Sequence, residues 1–316
     1  MNTLGYQPDI KLTELLGRPG RFTLSAEVIP PRNGGEQAKV LNQIQTLVQS
    51  GAEFLSVTKG AGGSLRGGSL PIAQTIKERL SVPCIAHFTC RDLSRADVEN
   101  SLMDHHYFGI RNILALRGDP PDGQGPWVAP ENGYSYAYQL IEQIRALNEG
   151  RYLERAGFKG EQSPREPTQF CIGAAAYPEH PDPKERIEFF RLKVQAGAQF
   201  AITDMCFDVA AFETFQEACA RAGCAVPLLP GARFLRTQEQ AQRVMKKFRV
   251  CVPASLLEEL PKQSDLERDP KGCEERSLSW MLQLIESFRR AGAPGLHLFV
   301  INDTEGASRL LRECKA

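Results

Sequence analysis

The chain has 316 residues, enough for one α/β barrel, which takes about 250 residues plus insertions. Its 38 Lys and Arg balance 38 Asp and Glu, so nothing in the charge calls for nucleic acid or an anionic membrane, and a small-molecule partner is expected. No apolar run reaches the roughly 18 residues of a spanning helix, and the opening Met1-Asn2-Thr3-Leu4-Gly5 lacks the order of a signal peptide, so the expected location is cytoplasmic. The nine cysteines form no C-x-x-C pair, which argues against a disulfide framework and against a metal site. Cys84, Cys171 and Cys251 lie in apolar runs, where burial as small hydrophobes is expected.

Taken in chain order, short β-branched and apolar runs alternate with stretches of helical spacing. The strands are predicted at 22–28, 54–58, 84–89, 112–116, 170–176, 199–203, 226–229 and 296–301. The helices are predicted at 36–50, 70–80, 94–107, 135–149, 183–196, 209–222, 237–248 and 277–290. Gly51, Gly197, Gly223 and Gly292 follow their helices where a left-handed cap residue belongs. Eight βα units predict a single (β/α)8 TIM barrel, one domain over residues 1–316 with an irregular segment at 1–20. Segment 118–133 leaves a strand C-terminus, where barrels place their chemistry, whereas 150–168 enters a strand N-terminus and 261–272 reads as a solvated excursion. No second, regulatory region is expected within this chain.

The polar residues predicted at the barrel mouth are Glu27, Thr58, Lys59, His87, Arg117, Asp119, Tyr177, Glu179, His180, Asp204, Asp208, Arg233, Asn302 and Asp303. Glu27 interrupts the apolar run Phe22-Thr-Leu-Ser-Ala-Glu-Val-Ile-Pro-Pro, where burial raises a carboxyl pKa and suits it to general-acid work. The alternative is a structural glutamate satisfied by an arginine or by backbone. Gly118 in Leu116-Arg-Gly-Asp119 permits close backbone approach, although charged turns after strands are common. The Gly-rich loop 60–69 offers either an anion nest or a plain loop. His87 reads as a core histidine, and His105 and His106 as surface residues of a helix.

Together these pieces resemble the catalytic domain of the methylenetetrahydrofolate reductase family, in the same order from Ser25 to about Leu311. The matching residues are Glu27 before Pro30-Pro31, Ser56-Val57-Thr58 with Gly60-Ala61, His87-Phe88-Thr89-Cys90, Leu116-Arg117-Gly118-Asp119, Ala175-Ala176-Tyr177-Pro178-Glu179, Lys193 with Ala196-Gly197-Ala198, Ala201-Ile202-Thr203, Phe207-Asp208 and Pro230-Gly231. The resemblance implies FAD at the barrel mouth, with NADH or NADPH and a folate alternating at one flavin face. It implies flavin-binding positions at Thr58, Ala61, His87, Arg117, Gly118, Asp119, Ala137, Tyr177, His180 and Lys193, which overturns the core reading of His87. Glu27 would be the general acid, Asp119 a catalytic carboxylate beside flavin and pterin, and Asp204 and Gln240 substrate contacts.

This chain also departs from the family pattern. Asp204 replaces a glutamine, exchanging a donor-acceptor for a group that only accepts when ionised. Val244 stands where some members have a folate-stacking phenylalanine. Asp303 replaces a folate-binding arginine, and an aspartate there would repel a carboxylate tail. The 186–193 segment, on the adenine side, is altered. These changes leave room for another pterin substrate, a partner electron-transfer subunit, or a folate-binding subunit without catalysis; a homo-oligomer is also compatible.

Overall fold

A computed structural model describes residues 4–64, 67–120, 128–154 and 165–315. Parts of three segments singled out above, 65–66 of the Gly-rich loop, 121–127 and 155–164, lie outside the described residues. Eight parallel strands close in sequence order: β1 Thr23–Val28, β2 Phe54–Val57, β3 Cys84–Thr89, β4 Asn112–Leu116, β5 Cys171–Ala176, β6 Phe200–Met205, β7 Leu228–Ala232 and β8 Gly295–Phe299. Closure of β8 onto β1 sets Leu296 beside Leu24 and Phe299 beside Glu27. The fold is a (β/α)8 TIM barrel.

The helices are α1 Leu12–Leu16, α2 Ala38–Ser50, α3 Ser69–Leu80, α4 Arg95–Tyr107, α5 Ala137–Asn148, α6 Pro183–Ala196, α7 Val209–Arg221, α8 Gln238–Phe248, α9 Ala254–Glu259, α10 Gln263–Arg268, α11 Pro270–Arg290 and α12 Thr304–Glu313. Polar caps start several of them. Asp182 accepts from the Lys184 and Glu185 amides before α6, Asp208 from Ala211 before α7, Thr237 from Gln240 before α8, and Asp303 from Gly306 before α12. Gly51 and Gly197 take φ of 116° and 127° beyond α2 and α6, where a Cβ would be strained. No helix among the described residues is long and apolar enough to cross a membrane.

Two apolar layers hold the barrel. One lies between strands and helices. The other fills the interior, where Phe54, Ile85, Leu114, Cys171, Phe200, Ile202 and Leu229 meet Leu12, Leu15 and Leu16 of α1. The expected irregular N-terminal segment therefore contains a helix that closes the N-terminal end of the barrel. Asn112, at the start of β4, pins it: its Oδ1 accepts from the Leu12 amide at 2.7 Å and its Nδ2 donates to the Ile10 carbonyl at 2.9 Å. Leu12 is fully buried, so Leu12→Ala is expected to cost about 3 kcal/mol, read as a lower urea midpoint. A shift below about 0.5 kcal/mol would mean that α1 is only loosely seated.

Three readings need correction. His105 and His106 are buried, because α4 turns them inward: His105 meets Phe88 edge-on and bonds the Ser101 carbonyl through Nδ1 at 2.6 Å, and His106 meets the Phe170 edge. Cys84 and Cys171 are buried as expected, but Cys251 is exposed in the turn after α8, its amide donating to Glu179 Oε2 at 2.6 Å. The 261–272 excursion is mostly helical, holding α10 and the first turn of α11, which starts seven residues before the predicted 277.

Candidate active site at the strand C-terminal ends

A cavity of about 940 Å³ opens at the C-terminal ends of the strands, within the ordinary range for small-molecule sites. Glu27, Thr58, Ala61, His87, Arg117, Gly118, Asp119, Ala137, Tyr177, His180, Lys193 and Asp204 all line it. Gln240 does not: its Oε1 accepts the Arg236 amide at 2.6 Å, tying down the start of α8. Val244 is buried in the helix layer rather than in the cavity wall, while Lys247 and Phe248, one turn on, do line it.

Glu27 is buried, and among the described residues no arginine or backbone group satisfies its carboxyl. The His87 imidazole approaches it, Nε2 to Oε2 at 3.9 Å. Burial pushes Glu27 up to about 8 and His87 down to about 4, so at neutral pH this is a neutral acid beside a neutral imidazole rather than an ion pair. Beneath them His297 is clamped between two hydroxyls, Nδ1 to Ser25 Oγ at 2.8 Å and Nε2 to Ser56 Oγ at 3.0 Å. Burial, with His87 adding to it, holds His297 near 3 and therefore neutral. The sequence reading passed over His297. Its signal was the inward position of a polar residue in the alternating run Gly295-Leu-His-Leu-Phe.

On the opposite wall the β6–β7 pairing shifts register between Ile202 and Met205, so three steps on β6 face two on β7. Thr203 Oγ1 takes the Gly231 amide at 2.9 Å within this bulge. Bulges re-aim side chains beside functional sites. Asp204 sits in it, its Oδ1 buried without a hydrogen-bond partner, and burial together with nearby Glu179 pushes its carboxyl up to about 7. Asp208 and Asp303, both expected at the mouth by sequence position, serve as helix caps. Asp303 is also gripped by Arg236, through Nε and Nη2 at 2.8 Å each, so its charge is met within the protein and the expected repulsion of a carboxylate tail does not arise from it.

Between these walls, Lys193 Nζ donates to the Ala175 carbonyl at 2.8 Å and lies 5.0 Å from the Tyr177 ring centre. Burial, with Arg117 beside it, lowers Lys193 to about 8. Asp119 Oδ2 accepts the Gly62 amide at 3.3 Å, so this part of the Gly-rich loop faces a carboxylate of its own chain. Gly118, at φ 97°, brings its backbone against Arg91 and Thr89, where a Cβ would meet the Arg91 Cβ at 2.8 Å. The close approach expected there is to these side chains. His180 closes the α6 side, its carbonyl accepting from Arg186 Nε at 3.0 Å.

Fold and site together define a TIM-barrel protein with a ligand-sized cavity, apolar in the main and set with ionisable groups, at the C-terminal ends of its strands. Over residues 11–315 the chain matches the family model described as methylenetetrahydrofolate reductase, and it belongs to that family. It is 30% identical over 292 residues to 5,10-methylenetetrahydrofolate reductase of Salmonella typhimurium (90% of this chain, 88% of that one). Over 301 residues it is 29% identical to methylenetetrahydrofolate reductase 1 of Schizosaccharomyces pombe (93% and 46%). The chain spans about half the length of the eukaryotic relatives it matches. A solved structure of a Clostridium thermocellum protein, described as binding two copies of 5-methyl-5,6,7,8-tetrahydrofolic acid, shares the fold with a TM-score of 0.57 and 14% identity, covering 97% of this chain and 99% of that one.

Proposed function

We propose that residues 1–316 act as one flavin-binding barrel that reduces 5,10-methylenetetrahydrofolate to 5-methyltetrahydrofolate with electrons from NADH or NADPH through FAD. The observation that carries this reading is Glu27: a buried, protonated carboxyl facing the cavity with only a neutral histidine beside it. Opening the five-membered ring of the substrate needs a proton at its 10-nitrogen, and Glu27, which holds its proton up to about pH 8, is able to supply one at neutral pH. His87 stays neutral and leaves that proton in place.

The lining residues fit FAD. Thr58 Oγ1 and His87 Nε2 are buried cavity-wall atoms that make no hydrogen bond among the described residues, suited to a polar heterocycle, while Arg117 and Lys193 offer positive charge to a pyrophosphate. When bound, FAD supplies two-electron transfer. The protein's part is to orient the ring, exclude water and deliver the proton. Anaerobic spectroscopy tests the reading: NADH or NADPH should bleach the flavin band, and methylenetetrahydrofolate should restore it. A protein that takes up no flavin would refute it.

Asp204 favours a second reading, in which the substrate is a different reduced pterin. Its carboxyl loses a proton near pH 7, changing from donor-acceptor to acceptor. The KM for the folate is therefore expected to change between pH 6 and 8, and Asp204→Asn to flatten that dependence. An unchanged profile in the variant would remove Asp204 from substrate contact.

A further inference from the structure

Two carboxyl groups at the β5–β6 wall of the cavity lie close enough to repel one another, and neither is fully satisfied. Ala176 pairs with Thr203, so Glu179, three residues past the first, and Asp204, next after the second, leave adjoining strand ends. Asp204 Oδ1 and Glu179 Oε1 are both buried, and among the described residues neither makes a hydrogen bond. Asp204 lines the cavity and Glu179 stands behind it. The bulge fixes the backbone at the front of the pair, where the Asp204 carbonyl accepts from Thr203 Oγ1 at 2.6 Å.

A buried pair of like charges retains a proton, and its surroundings decide which partner holds it. Glu179 has the better claim to the negative charge. Its Oε2 accepts the Cys251 amide at 2.6 Å, and the Arg186 guanidinium, bonded to the His180 carbonyl, adds positive charge from α6. Burial and the Asp208 carboxyl that caps α7 work against this, and the Cys251 thiol beside it is neutral. Asp204 has no such donor: beside it are the Glu179 carboxylate and the neutral Tyr177 hydroxyl and Cys206 thiol, and no cation among the described residues pairs with it. We propose that Glu179 is a positioning residue whose carboxylate keeps the proton on Asp204, so that Asp204 meets the substrate as a carboxylic acid, donor and acceptor at once. An acid pairs with a lactam edge, one N–H beside one C=O, whereas a carboxylate pairs with two neighbouring N–H donors. A ring with a lactam edge, such as the pyrimidinone of a reduced pterin, is therefore the class favoured while the proton stays. The inference rests on Asp204 touching the substrate, as read above, and adds the group that sets its protonation.

Two measurements on the full chain test this. In the flavin-loaded wild type, KM for methylenetetrahydrofolate should rise about tenfold as pH passes upward through about 7. In Glu179→Gln the rise should come about one pH unit lower, and Glu179→Asp, which keeps the charge, should retain the wild-type position. The double variant Glu179→Gln/Asp204→Asn should match Asp204→Asn alone. Infrared titration of the ligand-free protein gives a readout apart from activity: the protonated-carboxyl band missing from Asp204→Asn should vanish near pH 7 in wild type and about one unit lower in Glu179→Gln. A band that titrates at the same pH in both proteins, with unaltered circular dichroism, overturns the role of Glu179. A band that shifts while the wild-type KM stays flat with pH overturns the contact between Asp204 and the substrate, and leaves the coupling of the two carboxyls standing.

Discussion

Glu27→Gln is expected to slow folate reduction about a thousandfold while nicotinamide-driven bleaching of the flavin stays within a few-fold of wild type. The asymmetry follows from the proposed role, since only the folate half-reaction consumes a proton from the protein. Wild-type folate reduction should also fall as pH rises through about 8, where Glu27 ionises, and the variant should lack that limb. Equal loss of both half-reactions would point to damaged flavin binding. The same substitution has a stability signature. Between the ordinary carboxyl value of 4.5 and about 8, Glu27 is ionised in the unfolded chain and protonated in the folded one, so folding takes up a proton and stability declines as pH rises through that window. Glutamine has no such dependence. Glu27→Gln should therefore melt higher than wild type at pH 8, with the difference shrinking toward pH 4.

Gly295→Ala is expected to destabilise the barrel by about 3 kcal/mol, read from urea unfolding. Gly295 opens β8 and pairs with Thr23 of β1, the seam where the sheet closes on itself. A Cβ there would run into the Thr23 carbonyl and lie 3.0 Å from Leu229 Cδ2. The obstacle on the Thr23 side is backbone, and it cannot be relieved by a rotamer change. A variant as stable as wild type would show that the seam can open without loss.

The barrel was legible because each strand is a short apolar run bounded by glycine or proline, a pattern that repeats eight times. What local pattern missed depends on distant packing. Nothing within Leu12–Leu16 says that those leucines close the far end of the barrel, and the buried faces of His105 and His106 exist only because Phe88 and Phe170 come to meet them. At the site, motif order brought twelve residues to one cavity, whereas Gln240 kept its motif position and spends its side chain on the Arg236 amide. Asp303 illustrates the converse. Read alone it is a repelling charge, yet Arg236, 67 residues earlier, cancels it. The β6 bulge was invisible because a register shift is a property of two strands together.

Among the described residues the barrel interior is filled by side chains and closed below by the leucines of α1, so Glu27 faces the cavity at the opposite end. Under the proposed reaction, the nicotinamide donor and the folate then reach Glu27 past the same rim and queue for the same space rather than approach from opposite ends. On that proposal, an exchange in turn, one molecule departing before the next arrives, follows from the packed interior as much as from the chemistry beside it.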